Sequence, residues 1–372
     1  MKLTAKVKLQ PTKEQAELLK QTLETANAAC NWMSDQAWRT KTFGQFKLHK
    51  LVYAQAREQF NLAAQVVIRC ISKVADAYKL DKKTKRTFKP LGGIAYDDRV
   101  LNWRLQTKTV SIWTVDGRQT IPFVCGERQF QLLQTQQGET DLCYIRGFFY
   151  LFAVCNIDEP EPIDVEGVLG VDLGVKNIAV DSDGDVMSSN TVNNVRFRHR
   201  RLRAKLQSKG THSARRRLRK LSGKERRFAT HTNHEISKSI VQKAKDTKRV
   251  IALEELTHIR ERVTARKPQR AQLHSWSFFQ LRNFIEYKAK QVGVKVVAID
   301  PRNTSRQCPC CGHIAKANRP TQEKFSCVSC SYSGLADHIA AINISRRAAV
   351  NRPYIPDAVQ PDSSARDKAH VL

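Results

Sequence analysis

Two cysteine pairs near the end of the chain, Cys308-x2-Cys311 and Cys327-x2-Cys330 with fifteen residues between them, constrain its fold more than any other feature. Each CxxC turn presents two thiolates, and at this separation four thiolates can close tetrahedrally on one zinc ion. Four protein ligands leave no open position, so such a site is structural, and the metal replaces a core too small to fold alone. A redox CxxC and four unrelated cysteines are the competing readings; the spacing favours zinc. Cys310 stands between two ligands and reads as a spectator, with a register ambiguity against Cys311. The other cysteines, Cys30, Cys70, Cys125, Cys143 and Cys155, are scattered and read as small buried hydrophobes of a cytosolic chain. Lys316, Arg319 and Lys324 give the ribbon a nucleic-acid-facing character.

Charge narrows the partners. Lys and Arg outnumber Asp and Glu by 64 to 35 over 372 residues, a formal +29. Such an excess repels itself unless a polyanion neutralises it, and nucleic acid does so with release of counterions. A merely basic soluble protein or a binder of acidic membrane explains an excess of this size less well. No stretch approaches the roughly 18–20 apolar residues of a membrane span. The N-terminus MKLTAKVKLQPTKEQ has no apolar h-region, so the expected location is the cytosol.

Periodicity divides the chain. Residues 2–10 alternate as a strand, and Pro11 and Thr12 open a helix with Thr12 as N-cap and Gln15 three residues on, a capping box. Gly44 breaks the pattern. A second helical stretch runs from about Phe46 to Leu80 with an interruption near Asn61. After the basic connector Lys82, Lys83, Lys85, Arg86 and Lys89, the period turns to two between Val100 and Ile157, with Asp116-Gly117 as a hairpin turn. This predicts a β-barrel (residues 1–10 and 90–160) carrying a helical insertion (11–89). The acidic, Pro-containing link 158–167 is a domain boundary. Beyond it stand the strand VLGVDLGV, two basic helices meeting at Gly210, a helix over Asn233–Asp246 and the strand RVIALEEL. A basic loop over Arg260–Arg270, a helix over Ser275–Val292, the strand VKVVAID and a last helix with ADHIAAINISRR follow. Beyond Val350 the composition predicts a disordered tail, residues 351–372.

Three carboxylates stand where packing does not require a charge: Asp172 in GVDLGV, Glu254 in VIALEEL and Asp337 in LADHIAAINI. If the strands of Asp172 and Glu254 are neighbours, their carboxylates converge and Asp337 can join from its helix. Clustered carboxylates repel and need divalent cations; two Mg²⁺ ions can then stabilise the attacking and leaving oxygens of a phosphodiester. Gly174 allows close backbone approach. A solvated or capping Asp is the plain alternative, and Glu254 against Glu255 is open from pattern alone. DLG also begins the phosphate hairpin of actin-like ATPases, but no second glycine-rich loop accompanies it. Residues 196–227 are densely basic, with only Glu225 interrupting; Arg196, Arg200, Arg203, Arg215, Arg216 and Arg219 predict a surface that tracks phosphates without reading bases. Trp103, Trp113 and Phe123 suit base stacking, and suit a core better.

In these stretches the chain resembles the TnpB (OrfB) family of transposon-encoded nucleases, relatives of type V CRISPR effectors. The resemblance lies in GVDLGVKNIAV (170–180), HEISKSIV (234–241), IALEELTHIR (251–260), the run 275–312 and KFSCVSCSYSGLADHIAAINI (324–344), in family order over about half the chain. It implies an α/β fold: a RuvC-like (RNase H-like) nuclease core (165–306 and 334–350) with an inserted zinc ribbon (307–333), plus an N-terminal β-barrel wedge with a helical recognition insertion. It places the metal-holding catalytic acids at Asp172, Glu254 and Asp337, with Glu255 where Asp is common. Ser331 stands where Gly commonly follows the last cysteine. Zn²⁺ on Cys308, Cys311, Cys327 and Cys330, two Mg²⁺ (or Mn²⁺) ions, a guide RNA from the transposon end and double-stranded target DNA are the implied cofactors and partners, in a monomeric ribonucleoprotein. The function implied is RNA-guided, Mg²⁺-dependent double-strand cleavage beside a short target-adjacent motif. A nuclease-silent RNA-guided regulator and a strand-transfer transposase are the alternatives. For nucleic-acid contact in the N-terminal half the candidates are Lys82, Lys83, Arg86, Gln65 and Arg69.

Overall fold

In the computed structural model residues 1–174, 176–255 and 278–350 are described. The basic loop Arg260–Arg270, the start of the helix expected from Ser275 and the tail beyond Val350 lie outside them. The chain forms two compact units, Met1–Asp158 and Glu159–Leu372, dividing at the start of the acidic link. No helix among the described residues is long and apolar enough to cross a membrane.

In the first unit a seven-stranded sheet has the order β2-β6-β7-β1-β5-β4-β3. Its strands are β1 (Lys2–Leu9), β2 (Ile94–Tyr96), β3 (Leu101–Arg104), β4 (Thr109–Thr114), β5 (Gly117–Val124), β6 (Gln136–Ile145) and β7 (Phe148–Asn156). The first strand of the chain pairs with β7 and β5, so the strand before the helices completes the sheet that follows them. The helices are α1 (Lys13–Thr40), α2 (Gln45–Phe60), α3 (Ala64–Leu80) and the short α4 (Glu127–Leu133). Thr12 caps α1 through the expected box with Gln15. Asn61 ends α2 in the left-handed conformation that breaks the helical run. Alternation along β1 buries Ala5, Val7 and Leu9 against Leu19, Leu23 and Val67 in one core. Two expectations shift. Strand β2 and helix α4 escaped the periodicity because each is too short to show a repeat. The β4–β5 turn is Val115-Asp116, with Thr114 facing Gly117 and Gly117 at φ 79° just past it. As expected of the aromatics, Phe123 lies in the core with Trp103 and Trp113 packed against it, Trp103 meeting Phe123 edge-on at 5.3 Å.

The second unit holds a five-stranded sheet in the order β10-β9-β8-β11-β12: β8 (Gly167–Asp172), β9 (Asn177–Asp181), β10 (Val186–Ser188), β11 (Arg249–Glu254) and β12 (Val296–Ile299). Strands β8, β11 and β12 run parallel, while β9 runs antiparallel to β8 and β10 antiparallel to β9. Around it lie α5 (Asn190–Lys209), α6 (His212–Leu221), α7 (Lys224–Asp246), α8 (Phe278–Gln291) and α9 (Ala336–Val350). Both faces of the parallel part are covered, as such sheets require. Leu169, Val171, Ile251 and Leu253 face one core with Ile240 of α7 and Leu281 and Ile285 of α8. Ala252 and Ile299 face Ile344 and Ala348 of α9 on the other side. Between β12 and α9 the four cysteines surround the two-stranded ribbon β13 (Lys324–Ser326) and β14 (Ser333–Leu335).

Candidate active site

Strand parity decides which carboxylates meet. Side chains alternate along a strand, so Asp172 shares the face of Gly170, and Glu254 that of Ala252, the face covered by α9. Leu253 pairs with Val171 in parallel register, which sets Glu254 and Asp172 side by side at the C-terminal ends of β11 and β8. Helix α9 can lie on β8 because Gly170 has no side chain: a Cβ there would stand 2.2 Å from the Ala341 carbonyl oxygen and 2.5 Å from the Ser345 nitrogen. The Ser345 hydroxyl donates to the Val168 carbonyl at 2.8 Å across the same contact. Asp337, in the first turn of α9, is thereby brought over the strand ends. Asp172, Glu254 and Asp337 line one pocket of about 240 Å³ with Lys176, Thr304 and Arg319.

Supporting contacts hold each acid. The Thr304 hydroxyl donates to Glu254 Oε1. Buried Asn343 of α9 donates to the carbonyls of Thr304 and Gln307, both at 2.8 Å, and so holds the loop that carries Thr304. Asn177 Nδ2 donates to Asp337 Oδ2 at 3.0 Å, and Arg319 Nη2 stands 3.3 Å from Asp337 Oδ1. Burial, and then the negative charges of Glu254 and Asp337, push the Asp172 carboxyl well above the usual carboxylate range. Burial likewise raises Glu254, against the Thr304 hydrogen bond and the nearby Arg347 and Arg319. Two carboxyls raised by burial, with the Asp337 carboxylate beside them in one pocket, make a site that a bound cation would relieve, and an all-oxygen donor set suits magnesium or manganese. Glu255 takes no part: opposite parity turns it to the other face, where Arg282 of α8 grips it at 2.8 and 2.9 Å.

The ribbon residues come together as well. One thiol sulfur from each of Cys308, Cys311, Cys327 and Cys330 lies within 4.8 Å of all the others. Two of the pairs stand at 3.6 Å, close to the ~3.8 Å edge of a tetrahedron with zinc–sulfur bonds of about 2.3 Å. Cys310 is exposed, outside the cluster. The two knuckles match: Gly312 N donates to the Cys308 carbonyl and Ser331 N to the Cys327 carbonyl, each at 3.0 Å. Gly312 takes φ 77° and Ser331 φ 60°, so Ser331 adopts the left-handed turn without glycine. The ribbon's core is small, Phe325 with Cys308, Cys327, Ala336 and Ile339, as expected of a unit that relies on metal.

The basic candidates separate. Arg200, Arg215, Arg216 and Arg219 of α5 and α6, and Lys82 and Lys83 of the connector, are exposed. Glu225 bridges Arg196 and Arg203, at 3.4 and 2.9 Å. Arg86 folds back on Asp81, donating to its carbonyl at 3.1 and 3.0 Å. Gln65 and Arg69 depart furthest from the expectation of nucleic-acid contact. Gln65 is buried and donates to Asp97, while Arg69 spans Asp97 at 3.1 Å and Glu139 at 2.5 Å. Both sit where a short polar network needs donors, which a helical pattern cannot reveal.

Known proteins align with these features. A family model described as a probable transposase (OrfB of IS605) matches residues 152–257, and a Cas12f1-like TNB-domain model matches 278–344. A model described as a helix-turn-helix domain matches 1–37, which here form β1 and most of α1. A TnpB-like protein of Methanocaldococcus jannaschii is 31% identical over 199 residues, covering 50% of this chain and 71% of its own. The chain belongs to the TnpB family. Its type V kinship is equally plain: Cas12f1, a CRISPR-associated endodeoxyribonuclease of Sulfoacidibacillus thermotolerans, is 39% identical over 129 residues, 34% of this chain and 29% of that protein. The match to that relative thus spans under a third of its length. A solved Cas12f1–sgRNA–target DNA complex shares the fold, with a TM-score of 0.64 at 18% identity over 90% of this chain and 83% of that one. In this TnpB-family chain sequence reasoning missed Thr304, Asn343 and Asn177. Their type and spacing carry no chemical signature; only their contacts do.

Proposed function

We propose that this protein is an RNA-guided DNA endonuclease whose hydrolytic centre is the pocket of Asp172, Glu254 and Asp337. The observation that carries the reading is the convergence, on one sheet face, of three acids drawn from β8, β11 and α9. The strand order, with two parallel neighbours beside β8 and an antiparallel pair on its other side, supports a RuvC-like, RNase H-like core. The proposed domains are the barrel wedge (1–10 and 90–160), its helical recognition insertion (11–89), the nuclease core (165–306 and 334–350) and the ribbon (307–333).

Asp172, Glu254 and Asp337 would hold magnesium. Bound there, the ions supply the positive charge that stabilises the attacking and leaving oxygens of a phosphodiester. Thr304 fixes the rotamer of Glu254, and Asn177 with Arg319 fixes Asp337, so the carboxylates are oriented before substrate arrives. The second Arg319 function is screening: its guanidinium offsets charge among acids that repel. Cys308, Cys311, Cys327 and Cys330 hold zinc and with it the chain that leads through β14 into α9. A guide RNA and target DNA are the partners, as in the Cas12f1 complex, with exposed arginines of α5 and α6 tracking phosphates.

The test is cleavage of a target plasmid library by protein co-expressed with its flanking transposon-end RNA. Cuts that require the RNA and magnesium, and that Asp172→Ala abolishes while RNA and DNA binding persist, are expected. Cleavage retained by Asp172→Ala overturns the site, and a protein that binds no RNA overturns the guided reading.

A further inference from the structure

The outer face of the barrel sheet in the first unit carries a feature that the acidic pocket does not use. Strand β7 begins Phe148-Phe149-Tyr150-Leu151-Phe152, five residues in which alternation sends Phe149 and Leu151 into the core. Phe148, Tyr150 and Phe152 therefore stand on the opposite, solvent side. Phe148 is 49% exposed, a large ring left in water, and the other two are half-buried. The neighbouring strand β1 sets lysines beside them in strict register, Lys6 opposite Phe152 and Lys8 opposite Tyr150. The ammonium groups cap the rings: Lys8 Nζ lies 3.7 Å from the Phe148 centroid, and Lys6 Nζ lies 4.2 Å from that of Tyr150 and 5.6 Å from that of Phe152.

We propose that this three-ring, two-lysine ladder is a stacking platform for single-stranded RNA. Rings at every second residue of a strand are spaced ~6.5–7 Å along it, within the reach of successive unpaired nucleotides. Base–aromatic stacking tolerates any sequence because each base has a π face, and adjacent cations hold the backbone. The lysines that cap the rings in the free protein are the groups a phosphate draws aside, exposing the rings as the strand arrives. Duplex RNA fits poorly, since its bases are already stacked on each other. A strand carrying phosphates matches the lysines of β1 on one side of the rings, and Asp141 of β6, opposite Phe152, bounds the platform on the other. The platform is independent of the acidic pocket and stands whether or not that pocket cuts DNA.

The experiment uses the full chain in EDTA, so that cleavage plays no part. A labelled single-stranded oligouridine containing 4-thiouridine is titrated and then photo-crosslinked, and the adducts are mapped by mass spectrometry. Adducts on residues 148–152 are expected, with weaker labelling by duplex RNA of equal length. Phe148→Leu and Phe152→Leu keep apolar volume, and hence the fold, while removing the ring. Each is expected to weaken binding about 5- to 150-fold, the range of one base–aromatic stack, with an unchanged melting temperature, and Phe148→Tyr is expected to bind as the parent does. Adducts confined to other segments, or Leu variants that bind like the parent, overturn the proposal. Equal capture of single-stranded and duplex RNA on the β7 peptide overturns it too.

Discussion

Replacing Gly170 by Ala tests whether the acidic pocket is built by the approach of α9 to β8. The new Cβ would lie 2.2 Å from the Ala341 carbonyl oxygen and 2.5 Å from the Ser345 nitrogen, where ordinary contact begins at 3.4 Å. Both obstacles are helix backbone, so no rotamer change relieves them; α9 must move away by about 1.2 Å to restore ordinary contact with that oxygen. Overpacking of this kind costs about 1–3 kcal/mol. Replacing a strand glycine returns roughly 0.5–1 kcal/mol of chain entropy, which offsets only part of it. For a protein of this size the net loss lowers the melting temperature by a few degrees, at roughly 2–4 °C per kcal/mol. The larger effect is on the site, because the same displacement carries Asp337 away from Asp172 and Glu254. A misplacement of ~1 Å costs on the order of 100-fold in rate. Thermal melting, Mn²⁺ binding followed by electron paramagnetic resonance, and guided cleavage check this. Gly170→Ala with unchanged melting and unchanged metal affinity would falsify the helix-approach argument.

Other substitutions separate neighbouring features. Glu254→Gln should abolish Mn²⁺ binding, whereas Glu255→Gln should cost the Arg282 ion pair, about 1 kcal/mol or less for a half-exposed pair, and leave Mn²⁺ bound; equal effects in calorimetric titration would contradict the parity assignment. Ser331→Gly should stabilise the ribbon by about 1 kcal/mol, because a left-handed φ of 60° costs a residue with a Cβ more than it costs glycine. Slower zinc loss to a chelator is the expected readout, and faster loss refutes it. Cys327→Ser should release zinc and, through β14, loosen the start of α9, seen as loss of Mn²⁺ binding together with zinc; intact Mn²⁺ binding without zinc would separate the two sites. Finally, Arg249 and then Lys243 hold the Asp183 carboxyl below its ordinary range. A depressed carboxylate contributes stability that is present above its unfolded value near pH 4 and lost as the pH falls through its folded value. Arg249→Gln should therefore melt lower at neutral pH and lose less than the parent between pH 5 and pH 2; parallel pH profiles for the two proteins reject the pairing.

Much of the molecule was readable before folding, and the reason is local. The capping box at Thr12, the helix break at Asn61, the β1 and β7 alternation and the two CxxC knuckles are each written in a few contiguous residues. Composition alone directed attention to nucleic acid. The three acids were also visible as charges at the ends of apolar elements, but their meeting was not. That depends on the parallel register of β8 with β11, on strand parity that turns Glu254 inward and Glu255 to Arg282, and on one glycine that lets a helix from the far end of the chain reach the sheet. The same holds for what was missed. Thr304, Asn343 and Asn177 act through partners 39 to 160 residues away in sequence, and the contacts of Gln65 and Arg69 with Asp97 and Glu139 span 28 to 70 residues. The aromatic face of β7 needed the lysines of β1, which the fold sets beside it across more than a hundred residues. Local rules of propensity, capping and metal spacing act over a few residues and survive in the sequence; which charges share a pocket is a long-range property, decided only when sheets and helices pack.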